Sequence, residues 1–223
     1  MKKIIFCMMA LIVTTTFYSF DQDLRRQKKI NPNKEAKDQA KSYQKNGYEV
    51  EMGSLSMETT LRDYFYNYKL AKEGEFAKYI TIQREARGGS KNSAKSAALA
   101  FARNELAQDL GTKIIGITKT SLSNLDAGDV SNFEKVVESG QNRFSAELIG
   151  VQTVYCFYKE ETGGGYSAAV ALAYSFENAK RMAKKVILEK LESENEELHD
   201  KIDNLFGDSS FDNELSNSFL NNN

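Results

Sequence analysis

SAKSAALAFARNELAQDL, residues 93–110, reads as an alanine-rich helix around which the other elements are arranged. With about 100° between successive residues, Leu99, Ala102, Leu106 and Leu110 fall within roughly 80° of one another. Alanines at 94, 97, 98, 100 and 107 cover most of the remaining surface. Alanine loses no side-chain entropy in a helix, and its size lets a neighbouring backbone come close. Further on, YSAAVALAY (residues 166–174) alternates with period two. Tyr166, Ala168, Val170, Leu172 and Tyr174 share one face, and Ser167, Ala169, Ala171 and Ala173 share the other. A strand with a small-residue face suits a helix with small-residue surfaces, and this pairing is the expected centre of the fold.

Working outward, Asn31-Pro32 marks a helix start and Asn46-Gly47 its end, because Asn caps free amides, Pro suits the first turn and Gly permits a left-handed exit. That helix carries only Ala36, Ala40 and Tyr43 as apolar positions, so it is expected on the surface. Met57, Leu61, Tyr64, Phe65 and Tyr68 follow helical spacing over 57–72. Residues 78–87, KYITIQREAR, read as a strand, and Gly88-Gly89-Ser90 as a turn feeding a helix cap. The Gly-Gly-Ser-Lys run lacks the spacing of a phosphate loop. After Gly111 the β-branched run TKIIGITKTSL predicts a strand over 113–122, and Val130, Phe133, Val137, Phe144 and Leu148 predict another helix. Val151–Tyr158 and Tyr166–Tyr174 form a hairpin joined by KEETGGG. From Phe176 a last helix carries Ala179, Ala183, Ile187, Leu191, Leu198, Ile202 and Leu205 near one stripe.

The first residues have the form of an export signal. Lys2 and Lys3 precede an apolar run, Ile4–Val13, that is too short to span a bilayer, and small residues follow near a cleavage point between Thr16 and Asp21. Cys7 lies inside the apolar run behind Phe6, which does not suit lipidation. The mature chain then keeps one cysteine, Cys156, and no disulfide framework. Removing Lys2 and Lys3 from thirty basic residues leaves twenty-eight against thirty-one acidic, a net of −3, which disfavours a nucleic-acid partner. Residues 21–45 carry eight basic and four acidic side chains, and residues 192–214 carry nine acidic and one basic.

Catalytic constellations do not assemble. The sole histidine, His199, lies among Glu196, Glu197, Asp200 and Lys201, so serine and cysteine nucleophiles lack a base and zinc lacks ligands. Asp203–Glu214 has the end groups of a calcium loop, but Leu205, Gly207 and Asp208 stand where ligands and the turn glycine belong. No catalytic, cofactor or metal residue is assigned. A carboxylate pair drawn from distant positions stays open.

NSAKSAALAFARNELAQDL, then ELIGVQTVYCFY, then GGGYSAAVALAYS, resembles the Lpp-twenty-like family of small exported bacterial proteins and lipoproteins. The chain is most similar to exported proteins of Bacteroidales, through the block KEAKDQAKSYQKNGYEVEMGSLSMETTL at residues 34–61. The resemblance covers about residues 33–205 and implies a cell-envelope setting, with no catalytic residues to carry over. The lipidation cysteine of the lipoprotein members is missing here.

The expected fold is α+β: a small, mainly antiparallel sheet packed against the alanine-rich helix and a long C-terminal helix, with two peripheral N-terminal helices. The expected organisation is a signal peptide at 1–20, a basic arm with a surface helix at 21–55, the α+β domain at 56–191, a projecting acidic helix at 192–206 and a disordered tail at 207–223. The expected function is a non-enzymatic interaction or assembly protein, exported to the periplasm or outer-membrane periphery. It would contact an envelope protein or a second copy through the C-terminal helix, with no nucleic acid and no transmembrane segment. One alternative is a small-ligand or glycan-binding module using the aromatic cluster Tyr64–Tyr68, and another is a hydrolase relying on carboxylates alone.

Overall fold

The computed structural model describes residues 31–74, 76–121, 148–191 and 209–220, with Ser131, Lys135, Asp200, Asp203, Asn204, Phe206 and Gly207 besides. The expected leader at 1–20, residues 21–30 of the expected basic arm, His199 and almost all of the helix expected at 130–148 lie outside the described residues.

The architecture is α+β. In chain order come α1 (Pro32–Lys45), α2 (Met57–Tyr64) with a π turn at Phe65–Lys69, a small hairpin of β1 (Lys72–Glu73) and β2 (Phe76–Ala77), and β3 (Tyr79–Gly88). These are followed by α3 (Lys91–Ser121), β4 (Gln152–Glu160), β5 (Tyr166–Ser175), α4 (Phe176–Leu191) and α5 (Ser209–Leu220). The main sheet is antiparallel with the order β3-β5-β4. The register sets Ile80 against Tyr174 and Arg87 against Ser167 on one side of β5, and Lys159 against Ser167 on the other.

β5 is buried along 167–174, because helices cover both faces of the sheet. On one face Ala168, Val170, Leu172 and Tyr174, with Ile80, Ile82 and Ala86, share a core with Ala94, Ala98 and Ala102 of α3. On the other, Ala169 and Ala171 share a core with Tyr155, Phe157, Leu61 and Tyr64. The small-residue helix therefore meets the large-residue face of β5, and the small-residue face of β5 receives the aromatic rings. This corrects the expected small-on-small pairing. Close packing at crystal-like density is reached by setting large against small on each side.

Residues 113–121 of the strand predicted at 113–122 are instead the continuation of α3, and Leu122 lies outside the described residues. Ile114 and Ile117 extend the buried series 94, 98, 102, 106, 110 at helical spacing, and both are buried. The helix-propensity penalty of a β-branched residue is at most about 0.7 kcal/mol, and Gly111 adds about 1 kcal/mol. Burying one isoleucine returns about 1.5–3 kcal/mol, so packing decides the outcome.

The two N-terminal helices are not peripheral. Ala36, Ala40, Leu61 and Tyr64 are buried and form the second face's cover. Asn31 caps α1, its Oδ1 accepting from the amides of Asn33 and Lys34, and Gly47 leaves the helix at φ +83°. The tail expected to be disordered holds α5, whose Phe211, Leu215 and Phe219 recur every four residues and are buried in the main core. Most of the helix expected to project at 192–206 lies outside the described residues. Its end is docked: Asp203 pairs with Lys184 Nζ at 2.7 Å, and Phe206 is buried. No helix of the described residues is long and apolar enough to cross a membrane.

Candidate functional site

The face of β3 that meets the N-terminal helices is polar. Thr81, Gln83 and Glu85 alternate with Ile82, Arg84 and Ala86 of the other face, and each accepts one hydrogen bond from the cover. Tyr64 OH donates to Thr81 Oγ1 (3.3 Å), Gln39 Nε2 to Gln83 Oε1 (3.1 Å) and Tyr48 OH to Glu85 Oε2 (2.9 Å). Around these bonds the rings of Tyr43, Tyr64, Tyr155 and Phe157 meet, mostly edge to face, at centroid distances of 4.6 to 6.4 Å. Burial raises the hydroxyl pKa of Tyr43, Tyr64 and Tyr155 above the ordinary tyrosine value.

Past the end of α1 this face opens into a cleft of about 300 Å³, lined by Asn46, Tyr48, Glu85, Ala86, Arg87, Lys159, Glu161 and Ser167. The left-handed turn at Gly47 carries the chain back so that Tyr48 enters the cleft and Glu49 bridges to Tyr158. Burial, and then the Glu85 carboxylate, raises the pKa of Tyr48. Glu161 accepts a short hydrogen bond from Ser167 Oγ and lies 3.4 Å from Lys159 Nζ and 3.6 Å from Arg87 Nε. The Ser167 hydroxyl, helped by these two cations, holds the Glu161 carboxyl below the usual carboxylate range. A carboxylate pair for glycoside chemistry needs one partner kept protonated near neutrality. Glu161 is held the other way.

The hairpin glycines serve the backbone. Gly164 and Gly165 adopt φ +87° and +85°, and a Cβ on Gly165 would lie 2.7 Å from the Gly88 carbonyl oxygen. Before α3, Ser90 and Ser93 cap each other's amides, and Lys91 Nζ stands 5.5 and 5.6 Å from the ring centres of Tyr158 and Tyr166. That places Lys91 on aromatic rings.

Of the aromatic cluster Tyr64–Tyr68, Tyr64 and Phe65 are buried, Tyr68 is half-buried against Tyr79, and Tyr66 is half exposed. The cluster therefore offers one open ring, because the π turn swings Phe65 inward. Cys156 is a half-buried free thiol whose pKa burial pushes up, which disfavours the reactive thiolate. Asp203 and Asp212 pair with Lys184 and Lys180. Among the described residues no group of three or more His, Cys, Asp or Glu is placed to hold a metal.

A second open feature is the outer edge of β4. Tyr158 exchanges two backbone hydrogen bonds with Glu49 (2.7 and 3.0 Å), so its amide and carbonyl point away from β5. By strand alternation Cys156 and Glu160 point the same way. Among the described residues, Glu49 is the one backbone partner on that edge. The two loops flanking β4 expose Met52, Leu55 and Ile149, with Met52 fully in solvent.

Comparison with protein-family models, with curated proteins and with solved structures finds no match.

Proposed function

We propose that this chain is an exported, non-enzymatic cell-envelope protein that binds another protein, receiving an extended segment of it along the open edge of β4. The observation that carries the reading is the outward row of main-chain groups at Cys156 and Glu160, continued from the one bridge to Glu49. An exposed strand edge is a template for pairing, and strand addition draws its affinity from such main-chain bonds. Exposed Met52, Leu55 and Ile149 on the flanking loops supply apolar contact beside it. The leader-like form of residues 1–20 and the resemblance to exported bacterial proteins support the envelope address. The docking of Phe206, Phe211 and Phe219 argues for moving the contact surface from the C-terminal helix to β4.

A photo-reactive side chain placed at Thr153, exposed on β4, tests this in intact envelopes, with Arg103, exposed on α3, as the control position. The reading expects a discrete cross-linked product at Thr153 and none at Arg103, lost on Cys156→Pro. That substitution removes an outward amide and spares the ladder to β5. Equal products at both positions, or a Thr153 product indifferent to the proline in a chain that still folds, would contradict it.

A further inference from the structure

At the hairpin end of the main sheet, Arg87, Ser167 and Lys159 stand side by side, because the register sets Ser167 against Arg87 on β3 and against Lys159 on β4. Directly opposed residues on one face of such a ladder lie about 5 Å apart. Two cations thus flank one hydroxyl. Glu161 leans back over this row from the hairpin loop, and its Oε1 alone gathers the Ser167 hydroxyl, Lys159 Nζ and Arg87 Nε. Its main chain is pinned, the Glu161 amide donating to Gly165 O (3.1 Å) and its carbonyl accepting from the Gly164 amide (2.9 Å). The carboxylate can leave the row by rotating its own side chain, with no movement of the loop. Next to it lies the cleft of about 300 Å³, which Tyr48 also lines.

We propose that this row is a carboxylate-binding site and that Glu161 is its built-in occupant, displaced when a carboxylate of a small organic acid or a peptide enters the cleft. The chemistry of the ligand is read from the occupant: a planar monoanion fits the two cations and the hydroxyl. Glu85, two residues before Arg87 on the same face of β3, adds negative charge to the cleft, which disfavours a doubly charged phosphate. A tethered side chain competes with a free ligand as an effective concentration of millimolar order or higher. The site is therefore throttled in the native chain and opened by removing Glu161. Its location, on the sheet face rather than the β4 edge, keeps it separate from the strand-addition reading.

The test is a titration of the intact chain with N-acetylalanine and, separately, with inorganic phosphate, followed by calorimetry or by amide shifts at Ser167 and Lys159. Glu161→Ser vacates the row, and Glu161→Gln keeps an acceptor for Ser167 while discarding the charge. Both are expected to bind N-acetylalanine at least about tenfold more tightly than the native chain, the competitor having gone. Adding Arg87→Gln and Lys159→Gln is expected to abolish the gain. Unchanged affinity in both folded Glu161 variants, a gain that survives loss of both cations, or tighter binding of phosphate than of N-acetylalanine would each overturn the proposal.

Discussion

The two faces of the sheet are packed by different chemistry. Under α3, α4 and α5 the core is mostly alanine and aliphatic side chains, joined by the buried rings of Tyr158, Tyr174, Phe176, Phe206, Phe211 and Phe219. Under α1 and α2 it is tyrosine and phenylalanine set on alanine, crossed by the polar row Thr81, Gln83 and Glu85. The first face is held by burial and shape, which are non-directional. The second adds hydrogen bonds whose partners must be matched, and an unmatched one costs about 1–3 kcal/mol. The aliphatic face therefore tolerates changes of polarity least and fixes the fold, whereas the aromatic face fixes the register of the N-terminal helices on the sheet.

The largest effect expected on the aromatic face is in alkali. Burial raises the pKa of Tyr43, Tyr64 and Tyr155 above the ordinary tyrosine value of about 10. A group whose folded pKa lies above its unfolded value contributes stability that is complete below pH 10 and lost as the pH rises through the folded value. Following tyrosine ionisation by absorbance together with the peptide signal should show delayed ionisation coinciding with unfolding. Ionisation near pH 10 without unfolding would mean that the aromatic face is open to water.

Phe157→Ala is the next largest change, expected to cost about 3–5 kcal/mol in denaturant titration, because the ring is fully buried against Tyr43 and Tyr155. Ala98→Leu probes the opposite face. Overpacking a fully buried alanine between α3 and the sheet should cost about 1–3 kcal/mol. A cost near zero would show a void under α3 and remove the large-against-small account. Tyr64→Phe is the mildest of the set, expected to cost about 1 kcal/mol by stranding Thr81 Oγ1, and adding Thr81→Val should recover part of it.

Much of this was legible in the residues. Asn31-Pro32 and Gly47 bracket α1 because capping is local chemistry, period-two alternation marks β3 and β5, and the glycine-rich KEETGGG loop marks β4 as the other strand of the hairpin. What failed was non-local. Whether Lys113–Ser121 continues a helix depends on α5, which buries Ile114 and Ile117 in a shared core. Phe211, Leu215 and Phe219 were hidden in a segment dominated by serine and asparagine, although their spacing of four was present. The cleft was invisible for a similar reason. Arg87, Lys159 and Glu161 meet Ser167 through strand register, and no spacing along the chain encodes that register.

The central claim, that both faces of the sheet are covered and that among the described residues only Glu49 pairs with the outer edge of β4, is tested most directly by amide hydrogen exchange along β4. The account predicts alternation: Phe157 and Lys159, directed at β5, exchange slowly, Tyr158 is protected by Glu49, and Cys156 exchanges orders of magnitude faster than Phe157. Equal protection of Cys156 and Phe157 in the isolated chain would show that another segment already occupies that edge, and would contradict both the open edge and the binding role assigned to it.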